Sequence, residues 1–86
     1  MNKNVCALRR GMIAELETVN EYAKLMADCD DEATKKIFKS IIEEELIHVG
    51  EFEAGIDRLC SLQKEKILEG LVEVHELVED KITPLI

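Results

Sequence analysis

The sequence predicts an all-α protein, in which a long antiparallel helix hairpin is followed by a third, C-terminal helix. Apolar residues recur every three or four positions along most of the chain, which is the period of a helix with one buried face. No segment shows the alternation of apolar and polar residues that is typical of a strand. The 86 residues include one proline and four glycines, so few positions disfavour a helix.

The first helix is expected to run from about residue 4 to residue 27. One side of it carries residues at intervals of three and four, the spacing that brings side chains onto one face. These residues are Leu8, Met12, Glu15, Val19, Tyr22 and Met26. Residues 28–31, three of which are aspartates, interrupt the pattern, so the chain is expected to turn near Asp30.

The second helix is expected from about residue 31 to residue 59. Aspartate is a favourable N-cap, and Asp31 and Glu32 place negative charge at the positive end of the helix dipole. The stripe of this helix starts at Phe38, because Thr34, one turn earlier, is polar. It continues at steps of three or four through Ile41, Glu45, His48, Phe52 and Ile56.

Ser61 is expected to cap a third helix from about residue 62 to residue 82. Thr83 and Pro84 end it, because a residue that precedes proline disfavours the helical conformation. The apolar face of this helix consists of Ile67, Leu68, Leu71, Val74, Val78 and Ile82. Residues 1–86 are interpreted as one domain with a limited core, a size at which association with further chains is a reasonable default.

The composition narrows the classes of partner. The net charge is −8, which opposes binding to nucleic acid or to an anionic membrane and favours attraction of cations. No apolar run reaches the roughly 18 residues of a membrane-spanning helix, and residues 1–5 lack the apolar region of a signal peptide. We therefore expect a cytoplasmic protein that has neither a nucleic acid nor a membrane as its partner.

The three cysteines, Cys6, Cys29 and Cys60, are odd in number and widely spaced. The absence of a Cys-x-x-Cys pair disfavours a zinc ribbon, a rubredoxin-type iron site and thioredoxin-like redox chemistry. We interpret them as reduced thiols near helix ends, with an intersubunit disulfide through Cys29 as the alternative in an oxidising setting.

Glu45 and His48 form a Glu-x-x-His motif, in which both side chains project from one side of a helix, one turn apart. Glu15 precedes Glu45 by thirty residues, and the expected turn near Asp30 lies midway between them. In an antiparallel hairpin, two residues equidistant from the turn lie at the same height. Two carboxylates and one imidazole are thus expected at one level, where they would bind a metal ion.

The stripe positions beside this group are apolar, with Met12 and Val19 next to Glu15, and Ile41 and Phe52 on either side of the Glu-x-x-His motif. Buried carboxylates without partners cost several kcal/mol per ion. These groups therefore either reach solvent or have cations among them. Carboxylate and imidazole ligands suit Fe(II), Mn(II) or Zn(II).

One chain supplies half of a known set of ligands. Ferritin-like di-iron bundles use a glutamate from each of two helices and a Glu-x-x-His motif from each of the other two. This chain offers one of each, so two copies complete the set. We therefore predict that two hairpins pair as a homodimer into a four-helix bundle, with iron between the subunits on a twofold axis.

The spacing of Glu15, Glu45 and His48 also resembles that of the encapsulated ferritin-like proteins. Tyr22, seven residues after Glu15, matches a tyrosine near the metal centre of that family. Residues 42–52 are similar to the second ligand helix of rubrerythrins. The resemblance covers about residues 5–60 and places the chain with the half-size members of the rubrerythrin and ferritin-like superfamily.

This resemblance implies a ferroxidase that oxidises Fe(II) to Fe(III) with O2 for iron storage or detoxification. Glu15, Glu45 and His48 would ligate a di-iron centre between two subunits, and Tyr22 would either hydrogen-bond a ligand carboxylate or fill the core. The resemblance further implies a ring of dimers inside an encapsulin shell. Glu17 and Glu21 would contribute to an outer acidic site through which metal enters.

The sequence departs from the family at two places. Ala14 stands where a further acid of the outer site is expected, and residues 80–86 do not resemble the Gly-, Ser- and Leu-rich tail that targets the family to its shell. Two alternatives to a ferroxidase stay open: a metal-binding protein without catalysis, and a plain helical oligomerisation module.

Overall fold

The computed structural model describes residues 2–78, which form three helices and no strand. Helix α1 spans Lys3–Ala27, α2 spans Glu32–Leu59 and α3 spans Ser61–Val78. The prediction of an all-α chain is confirmed for this range. The pairing of two chains into a four-helix bundle stays a prediction.

Helix α1 begins one residue before its predicted start, because Asn2 caps it. The Asn2 side-chain oxygen accepts hydrogen bonds from the backbone N–H groups of Asn4, at 2.7 Å, and Val5, at 3.4 Å. These two N–H groups have no partner within the helix, so the cap satisfies them. At the other end, α1 stops at Ala27, as predicted.

Asp31 is the N-cap of α2 and stands outside the helix, whereas the sequence placed the first helical residue at about 31. Its backbone is extended (φ −89°, ψ 120°). Its carboxylate accepts hydrogen bonds from the hydroxyl of Thr34 at 2.6 Å and from the backbone N–H of Thr34 at 3.0 Å. These two bonds lower the pKa of Asp31, since they favour the charged form.

Four contacts between α1 and α2 define an antiparallel hairpin. Leu8 lies against Gly55, Gly11 against Phe52, the Glu15 carboxylate beside the His48 imidazole, and Tyr22 against Phe38. The partner moves back along α2 as the contact moves forward along α1, so the two helices run in opposite directions. This arrangement brings the middle of α1 level with the middle of α2.

Cys60 alone separates α2 from α3, and the prediction that Ser61 caps the third helix is wrong. Ser61 is already the first residue of α3. Cys60 is extended (φ −141°, ψ 86°), donates its N–H to the Ile56 carbonyl at 2.7 Å and accepts from the Lys64 N–H at 3.4 Å. One residue therefore ends α2 and starts α3. The predicted continuation to residue 82 and the stop at Thr83 and Pro84 lie outside the described residues.

The core of one described chain is small. Val5 and Ile56 are buried, and the predicted α1 stripe is half-buried. On α3, the predicted apolar residues that the structure describes are all exposed, between 38% and 57%: Ile67, Leu68, Leu71, Val74 and Val78. Exposed apolar surface on this scale is unusual for a monomer and is typical of an interface. None of the three helices is both long and apolar enough to cross a membrane.

Candidate metal centre

Glu15, Glu45 and His48 converge on one point between α1 and α2. The Nδ1 atom of His48 lies 3.5 Å from a carboxylate oxygen of Glu15 and 3.6 Å from a carboxylate oxygen of Glu45. One ligand atom from each residue lies within 4.8 Å of the others. Among residues 2–78, this is the one group of three or more potential ligands that are so close.

The helices position these side chains in a simple way. Glu45 and His48 are three residues apart on α2, so they project from the same side one turn apart. Glu15 reaches them from α1, because the hairpin places it opposite His48. The sequence-based prediction put all three at one level, and the structure brings them together there.

The centre is shielded on one side and open on the other. The side chains of Glu15 and Glu45 are 22% and 19% exposed, whereas the His48 imidazole is 43% exposed. The carboxylates thus lie largely inside the hairpin, and the imidazole faces outward. Carboxylate oxygens of Glu15 and Glu45 lie within 4.8 Å of each other, so the two groups repel when both are charged. A cation between them would stabilise the arrangement.

Two of the three donor-atom distances can be compared with those around a divalent metal ion. Nitrogen and carboxylate ligands lie about 2.1 Å from ions of the zinc type, so two ligands of one ion are at most about 4.2 Å apart. Both distances from His48 Nδ1, 3.5 Å and 3.6 Å, fall within this limit. Two carboxylates and one imidazole leave positions in the coordination shell unfilled, which a second chain or solvent would have to supply.

Tyr22 packs against an aromatic side chain and does not contact the carboxylates through its hydroxyl. Its ring packs edge-on against Phe38, with ring centroids 5.9 Å apart and an angle of 62° between the planes. Within the described range, its hydroxyl makes no hydrogen bond to Glu15 or Glu45. The packing contact matches the core-filling interpretation, and a role at the metal centre stays a prediction.

Glu17 and Glu21 are both exposed on α1, and the structure does not bring them into the cluster with Glu15. Ala14 beside them is also exposed. The role of these glutamates in an outer site stays a prediction. Cys6, Cys29 and Cys60 are thiols and not disulfides, and each is half-buried.

A second acidic pair on α2 was not singled out from the sequence. Burial raises the pKa of Glu53, and the charge of Asp57 and a hydrogen bond with it raise it further. The signal was available, because two acids four residues apart on a helix are neighbours. Among the described residues, no third ligand joins this pair, so it carries no candidate metal site.

Comparisons with known proteins add one relative. No protein-family model matches the chain, and no solved structure matches it. The chain is 39% identical over 70 residues to a protein of Pyrococcus furiosus described as a ferritin-like–encapsulin shell fusion protein. The match covers 81% of this chain and 20% of that protein, so the chain spans about a fifth of the length of its relative. The similarity supports a relation to ferritin-like, encapsulin-associated proteins.

Proposed function

We propose that the chain is a ferroxidase subunit that oxidises Fe(II) with O2 at a centre formed by two copies of the chain. The observation that carries this proposal is the convergence of Glu15, Glu45 and His48 between α1 and α2, where the carboxylates are largely shielded and the imidazole is partly exposed. The similarity to a ferritin-like protein supports an iron-related role for these residues.

The open side of the centre supports the pairing of two chains. The side of α2 on which His48 is exposed also carries three exposed apolar residues, each separated from His48 by whole helical turns: Ile37, Ile41 and Leu59. A second hairpin on this side of α2 would cover apolar surface and bring a second set of three ligands to the first. Two ferrous ions would then meet four carboxylates, which balances the charge.

The residues have separate parts in this proposal. Fe(II) is the substrate, and two ferrous ions lose one electron each while O2 takes up both electrons and two protons to give hydrogen peroxide. Glu45 and His48 hold the ions from α2, and Glu15 completes the ligand set from α1. The net charge of −8 attracts cations to the subunit.

The encapsulin shell and the ring of dimers belong to the same proposal. The relative is described as a fusion to an encapsulin shell, which supports a location of this chain within such a compartment. The exposed apolar face of α3 offers surface for contacts beyond one dimer. Iron storage or detoxification is the role that fits both features.

The test follows O2 uptake after anaerobic Fe(II) loading, with the wild type and the variants Glu45→Ala and His48→Ala. Glu44→Ala is the matched control, because Glu44 is exposed and lies one position from Glu45. We expect iron-dependent O2 uptake and a transient absorbance in the wild type and the control, and neither in the two ligand variants. Equal uptake by Glu45→Ala would overturn the proposal.

The same samples separate the two alternatives. Metal binding that strengthens dimerisation, without O2 uptake above that of Fe(II) in buffer, would indicate a non-catalytic metal-binding protein. Dimerisation and stability that do not change after chelation would indicate a plain helical module without a metal ion.

A further inference from the structure

The ring of Phe52 occupies the space that a side chain on Gly11 would need. A Cβ atom on Gly11 would lie 2.6 Å from Cε1 and from Cζ of Phe52, and 3.1 Å from Cε2. Carbon atoms in contact are about 3.5–4.0 Å apart, so a methyl group would force either the Phe52 ring or the two helices to move by about 1 Å. This contact between α1 and α2 therefore requires glycine at position 11.

This contact is the layer next to the proposed metal centre. Gly11 lies one turn before Glu15 on α1, and Phe52 lies one turn after His48 on α2. Four residues of helix correspond to about 6 Å along the axis. A change of helix spacing at Gly11 is thus transmitted through two rigid helical turns to the gap of 3.5 Å between His48 Nδ1 and the Glu15 carboxylate.

We propose that Gly11 is a positioning residue of the metal centre: by admitting the Phe52 ring, it sets the spacing of α1 and α2 at which Glu15 and His48 share one ion. The inference rests on the proposed metal function. Metal sites need ligand distances within about 0.2 Å of their preferred values. A movement of α1 against α2 by even part of this 1 Å would exceed that tolerance.

The other glycines provide a matched control. A Cβ atom on Gly50 would meet no atom within 4 Å, although Gly50 is only two residues from His48. Alanine at this position adds the same methyl group and the same gain in helix propensity, without the clash. A difference between Gly11→Ala and Gly50→Ala therefore reports the contact with Phe52.

The experiment measures Mn(II) affinity from the loss of the free-ion electron paramagnetic resonance signal. The samples are the wild type, Gly11→Ala, Gly50→Ala and the double variant Gly11→Ala/Phe52→Leu, and the melting temperature without metal is recorded for each. We expect Gly11→Ala to bind about tenfold more weakly, as variants of residues that orient metal ligands do. Gly50→Ala should match the wild type, and the double variant should regain affinity, because leucine leaves room for the methyl group.

The outcomes separate the inference from the function on which it rests. A wild type that does not bind Mn(II) would contradict both the inference on Gly11 and the proposed metal function. If the wild type binds and Gly11→Ala binds equally, with only a lower melting temperature, Gly11 serves packing alone and the inference falls. If Gly11→Ala does not fold, Phe52→Leu is compared with the wild type, because leucine alone no longer fills the space at Gly11; Mn(II) binding that is about tenfold weaker supports the inference, and unchanged affinity overturns it.

Discussion

Glu45→Gln is expected to stabilise the protein without metal and to destabilise it, relative to the wild type, with metal. The substitution keeps the size of the side chain and removes one of two negative charges whose ligand atoms lie within 4.8 Å. Two unit charges at this separation repel by about 0.9 kcal/mol in bulk water and by about 3.5 kcal/mol at an effective dielectric constant of 20. Because both side chains retain some exposure to solvent, a gain of about 1–2 kcal/mol is expected.

Addition of metal should reverse this order. At a Mn(II) concentration a hundred times the dissociation constant, binding stabilises the wild type by about 2.7 kcal/mol. Glu45→Gln loses a charged ligand and should gain much less. The wild type is therefore expected to melt below the variant without metal and above it with metal.

Thermal unfolding followed by circular dichroism measures both states, first with a chelator and then with Mn(II). For a domain of this size, 1 kcal/mol corresponds to a shift of about 4–8 °C in the melting temperature. Measurements at pH 8.5 lie above the range in which histidine side chains change charge. Glu44→Gln is the control, since it removes an exposed charge beside the site.

An equal response of Glu45→Gln and Glu44→Gln to chelator and to Mn(II) would refute the reasoning. In that case, the carboxylate of Glu45 would neither repel Glu15 nor bind the ion. If Glu45→Gln is stabilised without metal but Mn(II) raises its melting temperature as much as that of the wild type, only the role of Glu45 as a metal ligand is refuted.

Two further outcomes are expected. Glu53→Gln should raise the melting temperature at pH 7, because the raised pKa of Glu53, caused first by burial and then by Asp57, means that its ionised form costs stability. That difference should shrink as the pH falls from 7 through the raised pKa of Glu53, because wild-type Glu53 then becomes protonated in the folded state; a constant difference in pH-dependent melting curves would contradict the assignment. Tyr22→Phe should retain both melting temperature and Mn(II) affinity, since the contact with Phe38 involves the ring and not the hydroxyl; a tenfold loss of affinity in a Mn(II) titration would instead assign the hydroxyl to the centre.

The common level of Glu15, Glu45 and His48 was predictable because helix geometry is regular. With the turn near Asp30, the period of the helix determines which residue of α2 lies opposite Glu15, and no tertiary information is needed. The ends of the helices were less predictable. Ser61 looked like a cap by residue type, but the extended backbone of Cys60 supplies the break, and no residue preference of cysteine signals it.

The apolar periodicity of the sequence could not predict contacts between particular side chains. The sequence placed Tyr22 on the inner stripe, and whether its ring meets Phe38 or its hydroxyl meets a carboxylate depends on rotamers and on helix spacing. Likewise, the periodicity of α3 identified an apolar face at Ile67 and Leu71, but periodicity says nothing about what covers it.

Val5 and Ile56 are the two buried apolar residues among residues 2–78, so the proposed pairing of chains, where it supplies most of the stability, would affect how long the protein persists. A chain that derives most of its stability from association loses it on dilution, since dissociation returns each copy to a state with little core. Newly made subunits would then be degraded until their concentration allows them to assemble. Abundance would thus act as a threshold, below which surplus copies are cleared and above which they persist.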